Sequence, residues 1–155
     1  MLSFDIRSLT DHAVTVDDIL PADDPVWVEG DPVPSAPVRV KGRLSPAGPS
    51  RFYWHGTIEG EVELSCSRCL GDTEGHVSDE AHLIFAEAGT EGAEDDPDVF
   101  LLDDRSSELD LRVAVREQWL LNVPGYALCR DDCKGLCPTC GAELNLGPCV
   151  HVAPS

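Results

Sequence analysis

Cysteine is the residue type whose spacing carries chemistry in this chain. Five of the seven cysteines fall between Cys129 and Cys149, in the run Cys129-Arg-Asp-Asp-Cys133-Lys-Gly-Leu-Cys137-Pro-Thr-Cys140-Gly-Ala-Glu-Leu-Asn-Leu-Gly-Pro-Cys149. Its centre, Cys137-Pro-Thr-Cys140-Gly141, has the form of a zinc knuckle. Two sulfurs three positions apart grip one ion when the chain between them turns tightly. Pro138 presets φ for that turn, and Gly141 can take the positive φ that turns backbone N–H groups toward the thiolates. Cys66 and Cys69, in Cys66-Ser-Arg-Cys69, form a second knuckle-like pair far upstream.

Zinc takes four ligands in a tetrahedron, so the central knuckle needs two more. A local solution adds two of Cys129, Cys133 and Cys149 to Cys137 and Cys140. A long-range solution adds Cys66 and Cys69 and clamps the tail to the body of the protein. Two complete sites need eight ligands, and seven cysteines then recruit a histidine, of which His151 is the nearest. A non-metal role is open to Cys66, which falls on the inward side of its strand and can serve as a small buried hydrophobe. The competing chemistry is thiol-disulfide exchange at Cys137 and Cys140, which share the C-x2-C spacing of disulfide oxidoreductases. Such sites need a helix directly after the first thiol to lower its pKa. Gly141, Asn145, Gly147 and Pro148 discourage that helix.

The composition favours metal over disulfides. The N-terminus, Met1-Leu2-Ser3-Phe4-Asp5-Ile6-Arg7, has no secretory apolar region. No apolar run approaches the roughly 18 residues a membrane span needs. A cytoplasmic location follows as the expectation, and thiols stay reduced there. The net charge of −18, from 29 acidic and 11 basic residues, supports solubility and opposes broad contact with phosphate backbones. Catalysis finds little support. His12, His55, His76, His82 and His151 are scattered, and no glycine-rich phosphate loop is present. Phe52-Tyr53-Trp54 could stack on bases, but core and edge packing accounts for an aromatic strand more simply.

The elements that position these residues read as mainly β. Residues 1–25 suit a short helix or an extended edge, and prolines at 21, 25, 32, 34 and 37 exclude a long helix before Val38. Val26-Trp27-Val28 reads as a short strand. From Val38 the period is two: Val38, Val40 and Leu44 alternate with Arg39, Lys41 and Arg43. Arg51 to Cys66 contains the clearest strand, with Ile58, Val62, Leu64 and Cys66 inward and Gly60 at the missing inward position. A third long strand runs from Gly75 to Glu87. Residues 87–110 hold ten acidic residues against the single Arg105 and read as a solvated loop, interrupted by a short edge strand at Val99-Phe100-Leu101-Leu102. A helix over about 109–122 follows, capped by Ser107 or Asp110 and stopped by Pro124-Gly125. Leu111, Val115 and Trp119 repeat every four residues as its packing stripe, adjoined by Ala114, Gln118 and Asn122, leaving Arg112, Arg116 and Glu117 wet.

The expected architecture is therefore α+β, mainly β: an antiparallel meander or partial barrel with one packing helix and a C-terminal zinc-knuckle segment. Residues 1–124 form the β domain and 125–155 the cysteine-rich segment. That segment has few large apolar residues (Leu128, Leu136, Leu144 and Leu146), so metal must supply most of its order. Structural zinc contributes on the order of 10–16 kcal/mol apparent in small peptides.

Cys66-Ser-Arg-Cys69-Leu70 after an alternating strand, the acidic segment, Leu109-Asp110-Leu111, Asn122-Val123-Pro124, and Cys133-Lys-Gly-Leu-Cys137-Pro-Thr-Cys140-Gly with Leu144-Asn145 and Cys149 together resemble the YceD-like family, the large ribosomal RNA subunit accumulation proteins. The resemblance covers roughly residues 38 to 150. It implies a bacterial cytoplasmic, non-enzymatic protein supporting accumulation of large-subunit ribosomal RNA, with a zinc site. Its partners are then ribosomal proteins, which are basic, or the ribosomal RNA itself, contacted locally through Arg39, Lys41, Arg43 and Arg51 or through Arg130 and Lys134. Charge sign favours ribosomal proteins. Neither a membrane nor a small-molecule substrate is expected.

Overall fold

The structure is a computed structural model and describes residues 2–93, 95–103 and 105–151. In chain order the elements are β1 (Ser3–Asp5), α1 (Ile6–Asp11), β2 (Val14–Leu20), β3 (Val38–Pro46), β4 (Arg51–Ser65), β5 (Asp72–Glu87), β6 (Val99–Leu102), β7 (Glu108–Asp110) and α2 (Leu111–Asn122). The main sheet has the order β2-β3-β4-β5-β6, and β1 pairs separately with β7. From β2 to β5 every pairing is antiparallel, which gives the expected meander. The sheet stays open. The short strand at Val99–Leu102 is present, but it runs parallel to β5, so the chain between them must cross back to the same end.

One face of the sheet is the core. Val38, Val40 and Leu44 of β3, Phe52, Trp54, Ile58 and Val62 of β4, and Val77, Ala81, Leu83 and Phe85 of β5 are buried together with Leu111, Ala114, Val115 and Trp119 of α2. Trp54 is thus a core residue, as packing required. The period of two makes this possible, because alternate side chains leave one face apolar and the other wet. Gly60 stands inward where Trp119 crosses β4: a Cβ there would come within 2.7 Å of the indole ring. Gly42 is inward for the same reason, with the Trp54 ring 2.8 Å from the position a Cβ would take.

Helix α2 starts at Asp110, whose carboxylate accepts the Arg112 backbone N–H at 3.0 Å. It ends at Val123, whose N–H reaches the Trp119 carbonyl, and Pro124 follows. Two expectations about its surroundings are corrected. Val26-Trp27-Val28 forms turns, not a strand. Trp27 folds back to donate to the Pro21 carbonyl and meets Trp119 edge-on at 6.0 Å, while Trp119 Nε1 donates to the Pro32 carbonyl. The proline-rich crossing therefore packs over α2. Arg112 and Arg116 are not wet: Arg112 bridges Asp24 and Asp110, and Arg116 makes a bidentate pair with Asp31. That guanidinium holds the Asp31 carboxyl below the usual carboxylate range.

The β4–β5 hairpin is the part of the fold that serves the site. Its ladder runs unbroken from Arg51↔Ala86 to Ser65↔Asp72 and carries the Cys66–Gly71 turn out at its tip.

Candidate metal centres

The cysteines sort into two groups, and every sulfur is free of disulfide bonding. Cys66, Cys69, Cys129 and Cys133 form one cluster. Cys137, Cys140, Cys149 and His151 form the other, and within each cluster the ligand atoms lie within 4.8 Å of one another. Neither single-site combination brings its four residues together: Cys137 and Cys140 meet neither Cys66 and Cys69 nor Cys129 and Cys133. The seven cysteines and His151 thus stand as two groups of four side chains, each of which could hold a metal ion.

Both knuckles are built alike. In the first, Leu70 has φ of 63° and its N–H donates to the Cys66 carbonyl at 2.9 Å. In the second, Gly141 has φ of 75° and its N–H donates to the Cys137 carbonyl at 2.8 Å. The tight turn presents backbone N–H groups to the leading sulfur. The Cys69 N–H holds the Cys66 thiol down to about 6, and the Cys140 N–H, with that of Thr139, holds the Cys137 thiol down to about 6. Hydrogen bonding to the charged form is what favours a thiolate. Cys133 is also lowered, first by the Asn145 side-chain amide, which donates to its sulfur at 3.3 Å.

Cys129 goes the other way. The residue is exposed, yet its sulfur sits 3.7 Å from that of Cys69. Desolvation there, then the neighbouring thiols, push it up to about 12. Four adjacent thiols cannot all ionise unaided, and a bound dication reverses that balance.

The donor set fits a tetrahedral metal. With Zn–S of about 2.3 Å, a tetrahedron has edges of about 3.8 Å. The Cys66–Cys133 and Cys69–Cys129 sulfurs are 3.6 and 3.7 Å apart. In the second cluster Cys149 Sγ and His151 Nδ1 lie 3.9 Å apart. Cys66, Cys69 and Cys133 are buried, with Leu128 and Leu136 packed on them. In the second cluster only Cys137 is buried. Arg68 and Asn145 fasten the tail around the first cluster: Arg68 donates to the Cys133 carbonyl at 3.0 Å, and Asn145 Oδ1 accepts from the Lys134 N–H at 2.9 Å and from Arg130 at 2.8 Å.

A helix after Cys140 is absent. Instead Leu136 and Glu143 form an isolated antiparallel bridge, and Cys137 N–H donates to Ala142. The helix N-terminus that activates a redox C-x2-C thiol is therefore missing.

The family described as large ribosomal RNA subunit accumulation protein YceD matches residues 54–154, from Trp54 on β4 through both clusters. The chain belongs to the YceD family. An uncharacterized protein of Mycobacterium tuberculosis is 30% identical over 95 residues, which is 60% of this chain and 45% of that protein. The uncharacterized protein YlbN of Bacillus subtilis is 32% identical over 112 residues, covering 72% of this chain and 63% of YlbN. A chloroplastic relative from Zea mays, large ribosomal RNA subunit accumulation protein YCED homolog 1, is 30% identical over 123 residues, covering 61% of this chain and 42% of its own length. The chain thus spans about half the length of the mycobacterial relative, at 45%. No solved structure matches it. Among the described residues no helix is long and apolar enough to cross a membrane.

The sequence pattern missed one further group. His55, Glu80 and His82 meet on the outer face of the sheet, with their ligand atoms also within 4.8 Å of one another. Alternation places His82 and Glu80 on one face of β5, but only the β4–β5 register brings His55 beside them.

Proposed function

We propose that this protein is a non-enzymatic accessory factor that supports large-subunit ribosomal RNA accumulation or ribosome assembly in the bacterial cytoplasm, and that both cysteine clusters hold structural zinc. The family match over residues 54–154 carries the ribosomal part of this reading. The near-tetrahedral sulfur spacing of 3.6 and 3.7 Å supports the zinc part. A structural role fits because each cluster offers four protein donor atoms within 4.8 Å of one another. A catalytic zinc keeps a position open.

Basic ribosomal proteins are the partners the charge favours, since the chain carries −18. One observation supports a narrower second contact. Arg39, Lys41 and Arg43 point outward from β3, exposed and without an ion pair among the described residues. They offer RNA a local cationic strip. Arg130 suits that role less, since Asp132 and Asn145 engage it.

The test combines metal content with partner capture. Protein purified under reducing conditions should carry two zinc ions and no reactive thiol until a chelator is added. Immobilised protein should retain large-subunit ribosomal proteins in a way that weakens steeply with salt. Lys41→Glu with Arg43→Glu should leave that retention intact. RNA capture that the double reversal abolishes, with no ribosomal protein retained, would transfer the role to the β3 strip. Seven reactive thiols in a folded, zinc-free protein would remove the metal from this account.

A further inference from the structure

The outer face of the sheet carries a donor cluster chemically unlike the thiol sites and remote from them in sequence. His55 on β4 and His82 on β5 are register partners, and Glu80 lies two residues along β5 on the same face. The two imidazoles stack with centroids 4.2 Å apart and planes 10° from parallel. Glu80 Oε1 is hydrogen-bonded to His55 Nε2 at 2.7 Å and lies 3.8 Å from His82 Nε2, so the same oxygen stands near both rings. The Tyr53 hydroxyl, on the same face, is hydrogen-bonded to His82 Nδ1.

We propose that His55, Glu80 and His82, with the two imidazoles turned out of their stack so that both in-plane lone pairs converge, form a third metal site, which takes zinc or a similar divalent first-row ion. Two imidazoles and a carboxylate are a zinc donor set that leaves a fourth position for water or for a donor from another molecule. To bind an ion through Nε2, His82 must carry its proton on Nδ1, where the Tyr53 oxygen can accept it, leaving the Nε2 lone pair for the ion. Paired strands hold all three donors, which keeps their spacing more constant than a loop would. Glu80 supplies the negative charge that accepts a dication here, against Arg43 of β3, which is the register partner of His55 and shares this face.

The same face supplies its own control. His76 and Glu61 are also register partners, with Nδ1 and Oε1 2.7 Å apart. That pair has one imidazole where the proposed site has two, so it should bind a metal far more weakly.

The test uses the full chain with its thiol clusters already zinc-loaded. Zinc is added near neutral pH while imidazole nitrogen resonances are followed by NMR. Resonances of His55 and His82 should shift together and saturate at one added equivalent, while those of His12 and His76 stay in place. His55→Gln and His82→Gln should each weaken this binding by roughly tenfold or more, and His76→Gln should leave it unchanged. All three side chains are exposed, so the fold should survive, and circular dichroism checks that. Should either variant fail to fold, the wild-type titration decides alone. Absence of a saturable shift at His55 and His82 overturns the site, and so does a loss in His76→Gln equal to that in His82→Gln. Because the readout is at the imidazoles, failure of the thiol clusters to hold zinc would be seen separately.

Discussion

Cys66, Cys69, Cys129 and Cys133 draw on two parts of the chain, with Cys66 and Cys133 lying 67 residues apart. Cys137, Cys140, Cys149 and His151 all come from one stretch of 15 residues. The knuckle turn is the same in both. What differs is the structure each cluster closes. The first ties the tip of the β4–β5 hairpin to the tail, under Leu128 and Leu136. The second closes only the tail on itself. Closing a loop restricts the unfolded chain more when the loop is longer, by about 0.6 kcal/mol per doubling. A little more than two doublings separate these loops, which favours the first cluster by about 1.4 kcal/mol on that basis. Burial of three of its four sulfurs adds to the difference.

The largest effect should come from removing metal altogether. Structural zinc is worth on the order of 10 kcal/mol apparent per site, comparable to the whole stability of a typical domain. Chelation at neutral pH should therefore abolish amide protection across residues 129–151 and at the hairpin tip. Amides of Val40, Ile58 and Leu83 should stay protected, because their side chains belong to the apolar core and touch no sulfur. Hydrogen exchange with and without chelator reads both regions at once. Loss of protection throughout the sheet would mean that the tail and the core fold as one unit.

A pair of single substitutions separates the two clusters. Cys133→Ser should release one zinc, lower global stability by several kcal/mol and expose both the tail and the hairpin tip. Cys149→Ser should also release one zinc but confine the loss of protection to residues 137–151, with the thermal midpoint of the sheet shifting by a degree or two at most, roughly what less than 1 kcal/mol produces. Equal effects of the two would erase the distinction between a clamp and a local staple.

Which cysteines pair was the least legible part of the sequence, and the reason is geometric. Spacing of three residues announces a knuckle, but it does not say which distant knuckle meets which. That depends on where the β4–β5 tip lies relative to the end of α2. Elements whose signal is local were readable: the alternation in β4, the Leu111–Trp119 stripe, the Asp110 cap and the Pro124 stop all appear as expected. Elements defined by a remote partner were not. Arg116 looked wet because its carboxylate, Asp31, lies 85 residues away. Val26–Val28 looked like a strand because β-branched and aromatic residues favour strands, while Trp119, the ring that holds Trp27 in a turn, sits on α2. The direction of β6 carries no mark in four apolar residues.

The smallest effects test whether the two knuckles are equivalent turns. A left-handed backbone costs a non-glycine residue roughly 1–2 kcal/mol, and glycine returns roughly 0.5–1 kcal/mol of that through its freer unfolded state. Leu70 has φ of 63° with its side chain 65% exposed, so little packing is lost when it is replaced. Leu70→Gly should then stabilise the first knuckle by about 0.5–1 kcal/mol. Gly141 has φ of 75°, and a Cβ there would meet nothing within 4 Å, so Gly141→Ala tests the backbone alone and should cost a similar amount. The two changes should also be felt in different places. Because the first cluster ties the tail to the sheet, Leu70→Gly should raise the thermal midpoint of the whole chain. Because the second closes only the tail, Gly141→Ala should speed metal loss from one site and leave that midpoint unmoved. A lower midpoint in Leu70→Gly would show that the Leu70 side chain contributes more through contacts at the hairpin tip than its backbone costs, and the knuckles would then be alike in shape but not in energetics.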